Sequence, residues 1–115
     1  MIKLSIKNSS EKYEIKTSKI IALGLNYLDH INESVSQQAS DSRGEIPNEP
    51  VLFNKTPNVL IENGEEIIIP KFIEEYNFEK PRVDYEAELA IIIGKKCKDV
   101  SVEEARDYIL GYTCM

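Results

Sequence analysis

The sequence predicts an α+β domain that is mostly β. Three observations carry the prediction. Short apolar segments recur along the 115 residues and are bounded by Gly, Pro and Asn turns. The longest apolar run, Leu89–Ile93, has the length of a strand and is far too short to span a bilayer. Helical signals are confined to two short segments, so the chain lacks the regular strand–helix alternation of a parallel βαβ sheet.

The elements follow in order. Residues 2–6 alternate, with Ile2, Leu4 and Ile6 on one face, and read as a strand. Tyr13 to Lys16 pairs with it through a turn over Asn8–Lys12. Residues 19–23 are a strand of the buried type, because Ile20, Ile21, Ala22 and Leu23 are consecutive. Gly24 and Asn26 break it, and residues 27–35 read as a short helix. Residues 36–49 are polar and form a loop. Val51–Phe53 is a short strand, and Pro57, Asn63-Gly64 and Pro70 mark turns. Glu66–Ile69 is a strand between the last two, and residues 71–82 form a second, charged loop. Tyr85–Ile93 is the strongest strand. Ser101 with Glu104 makes a capping box for a helix from about Val102 to Leu110, ended by Gly111. Tyr112–Met115 opens another strand.

Composition narrows the function classes. Apolar residues make 42% and charged residues 30%, a globular balance. A net charge of -6 without a basic stripe suits no nucleic acid. No run is long enough for a membrane span, and the alternating N-terminus has no continuous apolar stretch of the secretory kind. Cys97 and Cys114 have no metal-ligand spacing and read as reduced thiols, so the expected compartment is the cytoplasm.

Two constellations carry chemistry. Glu86 and Glu88 are two apart on a predicted strand and point the same way. The rest of that strand is apolar, and such a strand is normally covered on both faces. Two carboxylates side by side under cover repel and lose hydration, and a divalent cation neutralises them; oxygen donors suit Mg²⁺, Mn²⁺ or Ca²⁺. The alternative is the solvent face of an amphipathic strand, and spacing leaves both open. His30, the single histidine, shares a helix face with Glu33, and a carboxylate that fixes the histidine tautomer suits a general base. An incidental pair on a surface helix fits the same spacing. Lys55, at a strand end, suits a substrate carboxylate or a developing oxyanion, or simply solvent.

These residues form ordered motifs. Gly24-x-Asn26-Tyr27-x-x-His30-x-x-Glu33 is followed by Pro47-x-x-Pro50-x-x-Phe53-x-Lys55 and by Asp84-Tyr85-Glu86-x-Glu88-Leu89-Ala90-x-x-Ile93-Gly94-Lys95. Val100–Arg106 and Gly111-Tyr112 complete the series. The chain thereby resembles the fumarylacetoacetate hydrolase family over residues 19–115, which would be the front part of its catalytic domain, with residues 1–18 as a preceding hairpin segment.

The resemblance implies a mixed β-sandwich roll, incomplete here at the C-terminus, and a homodimer at full length. It implies that Glu86 and Glu88 are two of three carboxylate ligands to Mg²⁺ or Mn²⁺. His30 would activate water with Glu33 orienting it, and Asn26, Tyr27 and Lys55 would bind substrate. The implied reaction is hydrolysis of a carbon–carbon bond in a small 1,3-diketo or oxo acid of the acylpyruvate or fumarylacetoacetate type. Decarboxylation of an oxo acid or isomerisation of a hydroxymuconate-type diene on the same site is the second enzymatic expectation. The loop between Pro70 and Tyr85 is longer and more charged than the family pattern, and the third carboxylate is expected after Met115. A reading of another class is therefore a catalytically incomplete fragment that serves only as an interaction module.

Overall fold

The alternating N-terminus forms half of a hairpin. In the computed structural model, which describes residues 2–33, 45–76 and 83–115, β1 (Ile2–Ser5) pairs antiparallel with β2 (Lys12–Ile15). Leu4 faces Tyr13, and Lys3 faces Glu14 with its ammonium 3.5 Å from the carboxylate. Both side chains of that ion pair are half exposed, so it adds at most a few tenths of a kcal/mol (~0.2–1). The turn between the strands works because Asn8 accepts a left-handed backbone (φ 62°), a conformation asparagine tolerates, and the Ser9 hydroxyl accepts the Glu11 N–H at 3.0 Å.

The next ribbon carries the first candidate motifs. β3 (Ile20–Gly24) pairs antiparallel with β4 (Val51–Lys55) in the register Ile20 to Lys55, Ala22 to Phe53 and Gly24 to Val51. Between them runs α1 (Leu28–Glu33), whose Ile31 is buried at 3% exposure and donates its N–H to the Tyr27 carbonyl. The predicted helix over residues 27–35 is thus present through Glu33, and its last two residues lie outside the described ones. The buried-type reading of residues 19–23 is corrected: only Ala22 is buried, while Ile21 and Leu23 are 54% and 46% exposed. The sequence pattern calls for two covered faces, and the ribbon has one covered position.

The chain divides into two compact units, Met1–Glu65 and Glu66–Met115. The first ends in a 3-10 turn over Pro57–Val59 and in the Asn63-Gly64 turn, where Gly64 takes φ 91° and Glu65 donates to the Glu62 carbonyl. In the second unit the predicted strand at Glu66–Ile69 is absent. Ile67 and Ile68 are 72% and 81% exposed and join no ladder, and apolar residues without a partner strand have nothing to hold them extended. Lys71–Tyr76 winds into a 3-10 helix in place of the expected loop; residues 77–82 of that loop, and 36–44 of the earlier one, lie outside the described residues.

The second unit is organised by β5 (Leu89–Ile93) against β6 (Ile109–Cys114), with an irregularity at Ile92/Ile93. Gly94 sits at this bulge. A Cβ there would stand 2.9 Å from Leu110 Cβ, so only glycine admits the close approach, and its N–H donates to the Tyr108 carbonyl at 2.8 Å. The strand predicted over Tyr85–Ile93 is shorter, starting at Leu89. Its expected cover on both faces is also corrected, since Leu89, Ile91 and Ile93 are 61%, 53% and 57% exposed. The helix predicted from Val102 to Leu110 is reduced to a 3-10 turn at Ala105–Tyr108, because Ile109 and the residues after it pair with β5. Among the described residues the regular structure is three two-stranded antiparallel sheets and short helices, in keeping with a mostly β chain.

Candidate functional site

Within the first unit, the candidate residues follow from the β3–β4 register. Gly24 ends the ladder opposite Val51, and the chain then turns through Leu25, which holds φ 54°. A leucine in the left-handed region costs on the order of 1–2 kcal/mol and is held there by its surroundings. The turn delivers Asn26 and Tyr27 to one end of the ribbon and starts α1, which carries His30. Asn26, Tyr27 and His30 are all solvent-exposed, as a residue that meets a diffusing substrate must be. Glu33 closes α1; its side chain lies outside what is described, so the His30–Glu33 pairing rests on their shared helix alone.

The same ribbon end forms a cleft of about 240 Å³. Leu23, Leu25 and Asn26 line one side and Pro47, Pro50 and Val51 the other, so the first two sequence motifs meet there. Lys55 belongs to the opposite end of the ladder, across from Ile20. It is half-buried, and its ammonium lies 5.9 Å from the centroid of the Phe53 ring.

In the second unit, Glu88 is half-buried and continues the face of Ala90 and Ile92. Glu88 donates its N–H to the Met115 carbonyl and accepts the Met115 N–H, both at 2.9 Å, so the ladder extends one pair beyond β5. Glu86 lies outside the strand and is exposed, so the expectation of two carboxylates side by side on one covered strand face is corrected: only Glu88 is held by the ladder, because the pairing with the neighbouring strand ends there. The two carboxylates offer an anionic, all-oxygen donor set, which fits a hard divalent cation and not a thiophilic one. Among the described residues, no group of three or more His, Cys, Asp or Glu gathers to hold a metal. No helix among the described residues is long and apolar enough to cross a membrane.

The sequence pattern selected Phe53 only as a motif position. Its contact with Lys55 depends on the i, i+2 relation along β4, which runs to Lys55 where the sequence pattern ended the strand at Phe53.

Comparison with known proteins places these motifs in context. Residues 19–115 match the family described as Fumarylacetoacetate (FAA) hydrolase C-terminal. An uncharacterized protein of Methanocaldococcus jannaschii is 45% identical over 114 residues, covering 99% of this chain and 42% of the relative. The mitochondrial oxaloacetate tautomerase of Xenopus laevis is 39% identical over 95 residues, 83% of this chain and 25% of its own length. The homoprotocatechuate catabolism bifunctional isomerase/decarboxylase of Escherichia coli is 39% identical over 94 residues, 82% of this chain and 18% of its own. The chain thus spans less than half the length of these relatives. No solved structure matches it. The family match begins at Lys19 and runs through every motif built above, from the Asn26–His30 turn to the Glu86–Glu88 pair, and on that ground the chain belongs to the fumarylacetoacetate hydrolase family.

Proposed function

We propose that the chain is the front part of the catalytic domain of a divalent-metal-dependent enzyme that hydrolyses a carbon–carbon bond in a small 1,3-diketo or oxo acid. The observation that carries this reading is the family match over residues 19–115, which takes in the candidate base, the lysine and both carboxylates. Glu86 and Glu88 hold the cation, Mg²⁺ or Mn²⁺ before Ca²⁺. When bound, it supplies Lewis acidity toward the enolate of the 2-oxo acid. His30 takes a proton from water at an imidazole nitrogen, and Glu33 sets the tautomer. The hydroxide so formed adds to the distal carbonyl carbon, the adjacent C–C bond breaks with its electron pair leaving as the enolate, and the proton held by His30 goes to the enolate carbon, which gives the oxo acid and restores the base. Lys55 binds the substrate carboxylate or the developing oxyanion, and Asn26 and Tyr27 orient the substrate. The full-length protein would adopt the family's sandwich roll and act as a homodimer in the cytoplasm.

A second reading keeps the site and changes the bond: proton transfer or decarboxylation of a 2-oxo acid. The names of two relatives, an oxaloacetate tautomerase and an isomerase/decarboxylase, favour it. Both readings share the enolate. Full-length protein with Mg²⁺ is to be offered acylpyruvates and oxaloacetate. Release of pyruvate and the matching carboxylic acid from an acylpyruvate supports hydrolysis. Keto–enol interconversion or CO₂ release from oxaloacetate, without acylpyruvate cleavage, supports the second reading. No turnover of either substrate class by the metal-loaded protein would sink both and leave the interaction module as the better account.

A further inference from the structure

The register of the β3–β4 ribbon poses a problem for the lysine. Lys55 stands across from Ile20, while Asn26, Tyr27 and the cleft lie beyond Gly24, at the other end of the same ladder. Phe53 lies between the two ends. It shares a face with Lys55, being two residues away on a strand, and sits opposite Ala22. The neighbouring positions on β3 are small. Ala22 is buried at 9% exposure, and a Cβ built on Gly24 would lie 3.6 Å from Phe53 Cε1, at ordinary contact distance. The ring therefore reaches from the middle of β4 toward the Gly24 end. The Lys55 ammonium lies over this ring, 5.9 Å from its centroid. An ammonium over an aromatic face is held by the ring quadrupole, and the effect grows as the group loses water; Lys55 is half-buried.

We propose that Phe53 is a positioning residue: its ring draws the Lys55 ammonium back along the ribbon toward the Asn26–Tyr27 end, where it meets the acid group of the substrate. The inference rests on the functional reading of Lys55 given above. Small residues at Ala22 and Gly24 make room for the ring, and the ring sets the direction of the lysine. A leucine at position 53 would fill part of the volume but has no quadrupole, and tyrosine would keep one.

The test uses the full-length protein with its lysines reductively methylated with ¹³C, and with the Lys55 signal assigned through Lys55→Arg. In the unsubstituted protein the dimethyl-lysine signal of Lys55 is expected upfield of the other lysines, from the ring current of Phe53. The displacement should vanish in Phe53→Leu and persist in Phe53→Tyr. With turnover measured on the substrate found active, Phe53→Leu should lower kcat/KM roughly two- to fivefold, the size of an exposed to partly desolvated cation–π contact, and Phe53→Tyr should restore it. Should Phe53→Leu not fold, the shift in the unsubstituted protein and in Phe53→Tyr still decides. A Lys55 signal at the ordinary lysine position in the unsubstituted protein overturns the placement. Undiminished kcat/KM in Phe53→Leu, where Lys55→Ala abolishes turnover, overturns the positioning role. If the protein turns over no oxo acid, the functional reading fails by itself, and the positioning role fails with it even where the ring-current shift is present.

Discussion

Glu88 and Met115 exchange two backbone hydrogen bonds, each 2.9 Å long, so the main chain of one candidate metal ligand is fixed by the strand beside it. The ladder fixes the Cα–Cβ direction of Glu88 and leaves its side-chain torsions free, so a ligand role is tested by changing the carboxylate alone. Glu88→Gln should leave the ladder intact, because the bonds are main-chain, while removing an anionic donor. In the full-length protein, Mg²⁺ affinity by calorimetry is expected to fall by at least about tenfold, and turnover is lost, with the circular dichroism spectrum unchanged. Turnover retained at saturating Mg²⁺ would remove Glu88 from the metal site. Glu86→Gln is expected to behave alike.

The histidine separates metal binding from chemistry. His30 lies on an exposed stretch of α1 and is not a carboxylate, so it contributes nothing to a hard-cation ligand set of the proposed kind. His30→Ala should keep the Mg²⁺ affinity of the full-length protein and lower hydrolysis by about 10²–10⁴-fold, the range of a positioned general base. Hydrolysis at the original rate would exclude the imidazole from the mechanism. A parallel loss of metal affinity would instead assign His30 to the ligand shell.

The capping box illustrates how much of the fold the sequence carried. Ser101 and Glu104 form one of its two bonds: the Glu104 N–H donates to the Ser101 hydroxyl oxygen at 3.3 Å, while the Glu104 carboxylate accepts from the Ser101 hydroxyl at 3.1 Å, and the 3-10 helix that follows takes Glu104 as its N-cap. The helix it announces stops at Tyr108, because Ile109 is taken into the ladder with Ile93. Local propensity lost to pairing with a strand that the capping signal cannot see. The hairpin of β1 and β2 was legible because its register is set by local alternation and a short turn. Residues 66–69 misled because an apolar run reports burial only where a partner exists. In the site, His30, Lys55 and the two glutamates stand out by residue type and spacing. The bend of Lys55 over Phe53 follows from β4 running on to Lys55, and the meeting of Asn26 with Pro47 and Pro50 in one cleft follows from the β3–β4 register, which residue spacing alone does not supply.

Because the capped segment is a turn and not a full helix, removing the cap should cost little. Ser101→Ala leaves the exposed Glu104 N–H to water, and a loss of about 0.5–1 kcal/mol in the urea denaturation of the full-length protein is expected. A loss of several kcal/mol would mean that the turn is a cooperative part of the fold and that the hydroxyl holds more than one donor.

Gly94 is the position where the β5–β6 ribbon tolerates least. A Cβ there would lie 2.9 Å from Leu110 Cβ and 3.4 Å from Leu110 Cα, and both strands are tied by the Gly94 to Tyr108 bond, so neither neighbour can yield freely. Gly94→Ala is expected to destabilise the full-length protein by about 1–3 kcal/mol, the usual cost of forcing a methyl group into a closed contact. Gly111, on the partner strand, has nothing within 4 Å of an added Cβ, so Gly111→Ala should change stability by less than about 1 kcal/mol in either direction. Chemical denaturation of the two variants side by side separates a steric effect from a general dislike of side chains in this ribbon. Equal midpoints for both would show that the bulge opens to accept the methyl. The contact between Gly94 and Leu110 would then no longer explain why a glycine stands at the end of β5.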